Sequence, residues 1–373
     1  TNPNTTYLII RETPNPESRQ PNKESLIDVS ILGTGAKATV LSGSSIIVKT
    51  DIEKLLEEIN AAQRSNSFFA KSTALGERLS QKVLPSIVRE ALASVQPNSL
   101  TVINDLWGSR LPWEILTIGD WKAGLDGNLS RKYSTGNISV AKWLHQRRAA
   151  SNLKMLLVVN PTSDLPGADE EGKRIRELAK SHPSIHVTEI WESAATKTQL
   201  AKEFASGEYD LVHYAGHAYF DKDDRSLSGI LCSGDQVLSG RDLATLDSLP
   251  SLMVFNACET ARVRSGQLPN RMSKPRSNAK NQVAPMAALV DRNVSMAEAF
   301  LRGGVGAFIG TYWEVGDAAA STFADVFYSH ILQSQSVGES LGAARQELYR
   351  GEESDWLNYI HYGDPAFRVK TFE

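Results

Sequence analysis

The sequence predicts an α/β fold, a mostly parallel central sheet flanked by helices and preceded by an N-terminal α+β extension. Three observations predict it. Continuous apolar runs recur at 153-LKMLLVVNP-161, 210-DLVHYAG-216, 251-SLMVFNACETA-261 and 305-VGAFIGTYW-313, and a strand buried on both faces reads in that way. Segments with apolar residues three or four apart separate several of these runs, and strand–helix alternation builds parallel sheets. Finally, two of the runs lead into a reactive residue, His217 and Cys258, and in open α/β sheets chemistry gathers at the carboxyl ends of strands.

Taken in order, residues 1–45 mix polar, proline-bearing sequence (Pro14, Pro16, Pro21) with short β-like runs at 7–12 and 25–33. Helical patterns follow at 51–65, where Asp51 is placed as an N-cap, and at 77–94, interrupted by Pro85. Residues 99–106 read as a strand and 107–118 as a turn leading into a short helix. After residue 150 the alternation begins: strand 153–161, helix 168–182, strand 185–191, helix 196–206, strand 210–216. A hairpin-like segment (230–240), the cysteine strand, a helix (295–304), a strand (305–313) and two helices within 318–350 complete it. The chain thus divides into an N-terminal region, 1–100, without an assignable role, and a domain at 101–373. The first is expected to dock against the second, complete its sheet, or receive a partner.

With 373 residues, 41% hydrophobic and 22% charged, the composition is that of an ordinary globular protein. A formal charge of −3 gives no reason to expect direct nucleic-acid binding. No apolar run reaches the roughly 18 residues needed to cross a bilayer and no signal peptide is visible, which points to a cytoplasmic protein without membrane contact. The start at Thr1 without Met suggests a fragment or processed form lacking an upstream module. Two cysteines, Cys232 and Cys258, exclude a disulfide framework. No CxxC pair or HExxH helix occurs, and His213 and His217, four apart in a strand, stand about 13 Å from each other. Neither metal nor cofactor is expected.

A lone histidine at a strand end is commonly a structural residue, and a cysteine in an apolar run commonly a small buried hydrophobe. Together at one sheet edge they are the minimum equipment of a cysteine hydrolase. Directly after Cys258 comes an irregular stretch, 262–293, with seven cations (Arg262, Arg264, Arg271, Lys274, Arg276, Lys280, Arg292) against one acid, Asp291, a formal charge of +6. A loop this long inside a domain is usually functional or disordered. The sharper expectation is a regulatory or self-cleaved segment that gates the site, with Arg264, Arg271 and Arg276 as cleavage positions.

The segments 104-NDLWGSRLPWEIL-116, 153-LKMLLVVNP-161, 194-AATKTQL-200, 212-VHYAGHA-218, 228-SGILCSGD-235, 253-MVFNACETA-261, 297-AEAFLRGGVGAFIGTYWEVGD-317 and 363-GDP-365 resemble, in order, the CHAT family of caspase-like cysteine peptidases related to separase. The resemblance implies a caspase-like sheet, a His217–Cys258 dyad and cleavage of protein substrates. It also implies an oxyanion hole from the backbone N–H groups of Ala218 and Cys258. No third catalytic residue is assigned. The family usually has Gly after its histidine, and Ala218 would be strained there if the position required φ > 0.

The segment 308–317 resembles the family's substrate groove, with Trp313 to stack on the P1 side chain and Glu314 or Asp317 to supply negative charge. Asp223 and Asp224 compete for that role. A carboxylate pocket favours P1 Arg, or less well Lys. By family analogy alone, such proteins act in bacterial immunity and cell death, with a gasdermin or another effector as the partner protein cleaved, held inactive until a partner or loop rearrangement opens them. The alternatives are a catalytically silent scaffold or binding module and, further off, acyl transfer or deamidation by the same dyad.

Overall fold

The computed structural model describes residues 5–16, 18, 23–33, 40–64, 67–133, 152–221, 223–256, 296–301, 305–313 and 315–370. Its N-terminal part comprises β1 (Thr6–Pro14), β2 (Glu24–Leu32), β3 (Val40–Val48), α1 (Lys49–Arg64), α2 (Phe68–Val83) and α3 (Ser86–Val95). Then come β4 (Leu100–Asn104), β5 (Thr117–Ile118), β6 (Trp121–Lys122), α4 (Ala123–Asp126) and β7 (Ser130–Tyr133). The alternating part holds β8 (Leu153–Val159), α5 (Pro166–Ser181), β9 (Ile185–Trp191), α6 (Lys197–Ala205), β10 (Leu211–Ala215) and β11 (Ala218–Tyr219). It continues through β12 (Gly229–Leu231), β13 (Val237–Ser239), α7 (Gly240–Ala244), β14 (Leu252–Asn256), α8 (296–301), β15 (Ala307–Thr311), α9 (Asp317–Leu332), α10 (Val337–Arg350) and β16 (Tyr359–Tyr362).

Eleven strands form one sheet in the order β3-β2-β1-β4-β7-β16-β15-β14-β10-β8-β9. Pairing is antiparallel at β3/β2, β2/β1 and β16/β15 and parallel at the other junctions, the mostly parallel sheet the sequence predicts. Every residue of β10 and β14 is buried, because helices cover both faces, and this is why those strands read as unbroken apolar runs. The N-terminal strands are continuous with the same sheet: β1 pairs with β4 from Thr6↔Leu100 to Ile10↔Asn104. Here one face is covered by α1 to α3, and β2 alternates between half-buried and buried positions along its length.

Local chemistry sets the helix boundaries. α2 stops at Val83 because Leu84 precedes Pro85 and is held extended (φ −107°, ψ 130°), so one predicted helix becomes two. α5 opens with Pro166 in its first turn and carries Asp169 there and Lys180 at its end, each suited to the helix dipole. Reciprocal capping boxes start α7 (Ser239 with Asp242) and α10 (Ser336 with Glu339). Residues 107–118 form two short 3-10 turns, Gly108–Arg110 and Trp113–Ile115, where a short helix was expected.

A buried ionic cluster ties β7 and the turn at Glu114 to α10. Arg131 on β7, fully buried, donates through both Nε and Nη2 to Glu114, and Arg345 on α10 lies 3.9 Å from the same carboxylate. The Arg131 guanidinium also lies over the rings of Tyr312 (5.3 Å) and Tyr362 (6.0 Å), which adds cation–π attraction in a desolvated setting.

Candidate active site

Register brings level the ends of the two strands that lead toward the reactive positions of the sequence. In the centre of the sheet β10 pairs with β14 on one side and β8 on the other, and Ala215 is level with both Asn256 and Val159. His217 follows Ala215 by two residues. Cys258 follows Asn256 by two and lies outside the described residues.

His217 is held from several directions. Gly216 N–H donates to the Asn256 carbonyl at 3.3 Å. The His217 carbonyl accepts from the Tyr214 hydroxyl at 2.5 Å and from Leu231 N–H at 3.1 Å. Tyr214 stacks on Phe255 with ring centroids 4.9 Å apart, so its hydroxyl is fixed from below the strand ends. Gly216 has to be glycine: a Cβ there would stand 2.5 Å from Tyr214 Oη and 3.0 Å from Pro161 Cδ. His217 is 4% exposed. Its Nε2 lies 2.9 Å from Asp164 Oδ1, while Nδ1 is buried without a hydrogen-bond partner among the described residues.

Asp164 comes from the turn between β8 and α5, which Asn160 organises. Asn160 sits at φ +47°, its Oδ1 accepts from the backbone N–H groups of Asp164 and Leu165 (3.1 Å each), and its Nδ2 donates to Asp169 at 3.0 Å. Thr162 Oγ1 donates to Asp164 Oδ1 at 2.5 Å. No third catalytic residue was assigned from the sequence, and this carboxylate was not singled out. The available signal was an acid in a turn directly after a strand that neighbours the histidine strand.

On the α5 face of the sheet a second set of polar groups is buried. Glu171 Oε1 accepts from His213 at 2.9 Å and from Asn256 Nδ2 at 2.8 Å, and the other nitrogen of His213 is 2.6 Å from the Tyr328 hydroxyl. Beside it a cavity of about 270 Å³ opens between α5 and α9, lined among the described residues by Gly167, Glu170, Glu171, Arg174, Ala318, Ala320 and Ser321. Through Glu171, this cavity is one hydrogen bond from Asn256, which precedes Cys258 by two residues.

The remaining expected site residues are distributed differently. Trp313 does not face a groove: it is 5% exposed, its indole donates to Asn60 Oδ1 on α1 at 3.0 Å, and its backbone N–H donates to Asn358 at 2.7 Å. Burial against the N-terminal helix leaves it no face for a P1 side chain. Asp224 caps the turn Arg225–Leu227 through Ser226 N–H (3.0 Å) and pairs with Arg241 at 2.5 Å, while Asp223 is exposed. Glu314, Arg264, Arg271, Arg276 and the insertion 262–293 lie outside the described residues, as does the side chain of Asp317, whose backbone begins α9. Ala218 does not have a left-handed φ: it opens β11 opposite Ile230, so the expected strain is absent.

Cys232 is fully buried, and burial pushes its thiol up to about 12, which makes it unreactive at neutral pH. Among the described residues no cluster of His, Cys, Asp and Glu could hold a metal ion, and no helix is long and apolar enough to cross a membrane.

The CHAT domain family model matches residues 73–367. Two crystal structures of the Saccharomyces cerevisiae separase–securin complex, at 2.6 and 3.0 Å resolution, share the fold. Their TM-scores are 0.53 and 0.52, with 10% and 11% sequence identity over 96% of this chain. The likeness extends to 30% of the separase chain. No curated protein matches the chain.

Proposed function

The chain belongs to the CHAT domain family, and from that premise we propose that it is a cysteine endopeptidase in which Cys258 is the nucleophile and His217 its acid–base partner. The observation that carries the reading is the equal register of Ala215 and Asn256, each two residues before one member of the pair. The burial of His217, with one ring nitrogen lacking a partner among the described residues, agrees with it.

In this reaction the Cys258 thiol gives its proton to His217, and the thiolate attacks the scissile carbonyl. The oxyanion is received by the backbone N–H groups of Ala218 and Cys258. The imidazolium then protonates the leaving amine as the C–N bond breaks, leaving an acyl-enzyme. A water that passes its proton to the imidazole hydrolyses the thioester and regenerates the thiol.

The substrate in this reading is a partner protein, such as a gasdermin or another effector in bacterial defence, cut after a basic P1 residue. Glu170 and Glu171 at the cavity between α5 and α9 supply carboxylates for that side chain, in addition to Glu314 and Asp317. The basic insertion is a gate, cut at Arg264, Arg271 or Arg276 or displaced by an activating partner.

The deciding experiment follows the intact mass of the purified chain over time beside Cys258→Ala, together with a peptide-based thiol probe at neutral pH. Since Cys232 is buried and protonated, labelling reports Cys258. Fragments ending at these arginines in the wild type alone establish the nucleophile, the P1 preference and the role of the insertion. An intact chain that the probe nonetheless labels places activation with a partner. An intact, unlabelled chain refutes the peptidase and supports a silent scaffold.

A further inference from the structure

We infer that Asp164 is a positioning residue for His217, selecting the tautomer in which Nε2 carries the proton and Nδ1 is the nitrogen that exchanges protons with the reacting groups. The inference rests on His217 being the acid–base group proposed above, and it adds the residue and the ring atom that make it one.

The chemistry follows from donor and acceptor inventories. An ionised carboxylate only accepts hydrogen bonds, and a neutral imidazole has one donor and one acceptor nitrogen. With Nε2 at 2.9 Å from Asp164 Oδ1, the shared hydrogen belongs to Nε2. The lone pair therefore resides on Nδ1, which is buried and has no partner among the described residues. Such an atom is costly to leave unsatisfied, about 1–3 kcal/mol, unless a reacting group uses it.

The carboxylate is itself fixed rather than swinging on the surface. Although its side chain is 46% exposed, Asn160 holds its backbone N–H and Thr162 donates to the same oxygen that meets His217. The backbone that carries the ring is fixed by the two hydrogen bonds to the His217 carbonyl. Orientation and tautomer are thus set by different elements, the β8–α5 turn and the β10–β11 connection. A histidine so held is ready to take the thiol proton at Nδ1 without reorganising.

The test is nitrogen NMR of protein labelled at its seven histidines, with His217 assigned from a His217→Gln variant, read beside peptide-cleavage kinetics. Wild type is expected to show His217 protonated at Nε2 alone. Asp164→Ala should lose that preference and lower kcat by about 10–100-fold, the scale for removing the carboxylate partner of a functional histidine, with KM nearly unchanged. Thr162→Val, which keeps the carboxylate but loses its loop bond, should retain the tautomer and most of the activity.

In Asp164→Asn the amide can present either its oxygen or its nitrogen to Nε2, so activity should track whichever tautomer the spectrum shows. An unchanged tautomer in Asp164→Ala overturns the inference, whatever the activity. A tautomer that shifts as expected in a chain that neither cleaves peptides nor takes the thiol probe at Cys258 sustains the positioning role and instead sinks the peptidase reading. Thermal melts of each variant separate unfolding from both outcomes.

Discussion

Tightness around Gly216 makes a quantitative prediction for Gly216→Ala, Tyr214→Phe and the two together. A Cβ at 216 would lie 2.5 Å from Tyr214 Oη, 2.7 Å from its Cζ and 3.0 Å from Pro161 Cδ, so the turn or the ring must move. Overpacking of this kind costs about 1–3 kcal/mol. Tyr214→Phe keeps the stack on Phe255 but deletes the hydroxyl that donates to His217 O. Leu231 N–H still serves that carbonyl, so the expected cost is about 1 kcal/mol.

The two effects overlap. Pushing the ring away in Gly216→Ala already breaks the hydroxyl's bond, and removing the oxygen relieves the tightest of the three contacts. The double variant should therefore be less destabilised than the sum of the singles by about 1 kcal/mol. Urea unfolding of the four proteins measures this coupling, and the rate of Cys258 labelling follows the displacement of His217. Additivity within about 0.3 kcal/mol would refute the packing argument. Equal labelling rates in all four would show that this turn does not position the histidine.

Glu114→Gln leaves the buried Arg131 and Arg345 guanidinium groups without their shared carboxylate and should destabilise the chain by about 3–5 kcal/mol, read from the denaturant midpoint. His361 on β16 supplies a pH prediction. Burial, helped by the positive charge of Arg345 and Lys132, pushes its imidazole down to about 3, so between an unfolded value of about 6.5 and that point only the unfolded chain takes the proton. Stability should be fully retained above pH 6.5 and fall through this window by up to about 1.4 kcal/mol per pH unit from this group. His361→Gln should flatten that slope, and an unchanged slope would rule the group out. Ala218→Gly should bring no gain in activity, since Ala218 is already relaxed in β11; a gain measured on a peptide substrate would contradict that backbone.

The sequence by itself determined the α/β class and the central strands and helices. Each of those strands is buried on both faces, so its apolar run survives in the sequence as an unbroken signal. The CHAT motifs from residue 104 onward were legible for a related reason, because each combines residue types that a strand end or turn requires. Only the tertiary structure joined β1 to β4 and so carried the sheet into the N-terminal region. β3 escaped the sequence reading because its Ser-rich stretch forms a sheet edge whose outward face is exposed and carries no periodic apolar demand.

Long-range contact decided the site's surroundings as well. Asp164 and His217 are separated by 53 residues and meet because β8 and β10 are neighbours in register, a fact no local pattern encodes. Trp313 reads equally well as a groove residue or a core residue, since an aromatic next to a strand satisfies both. Its indole hydrogen bond to Asn60, 253 positions away, decided for the core. Local composition fixes what a segment can become; which charges and rings finally meet depends on strand order, and that is set by the packing of the whole chain.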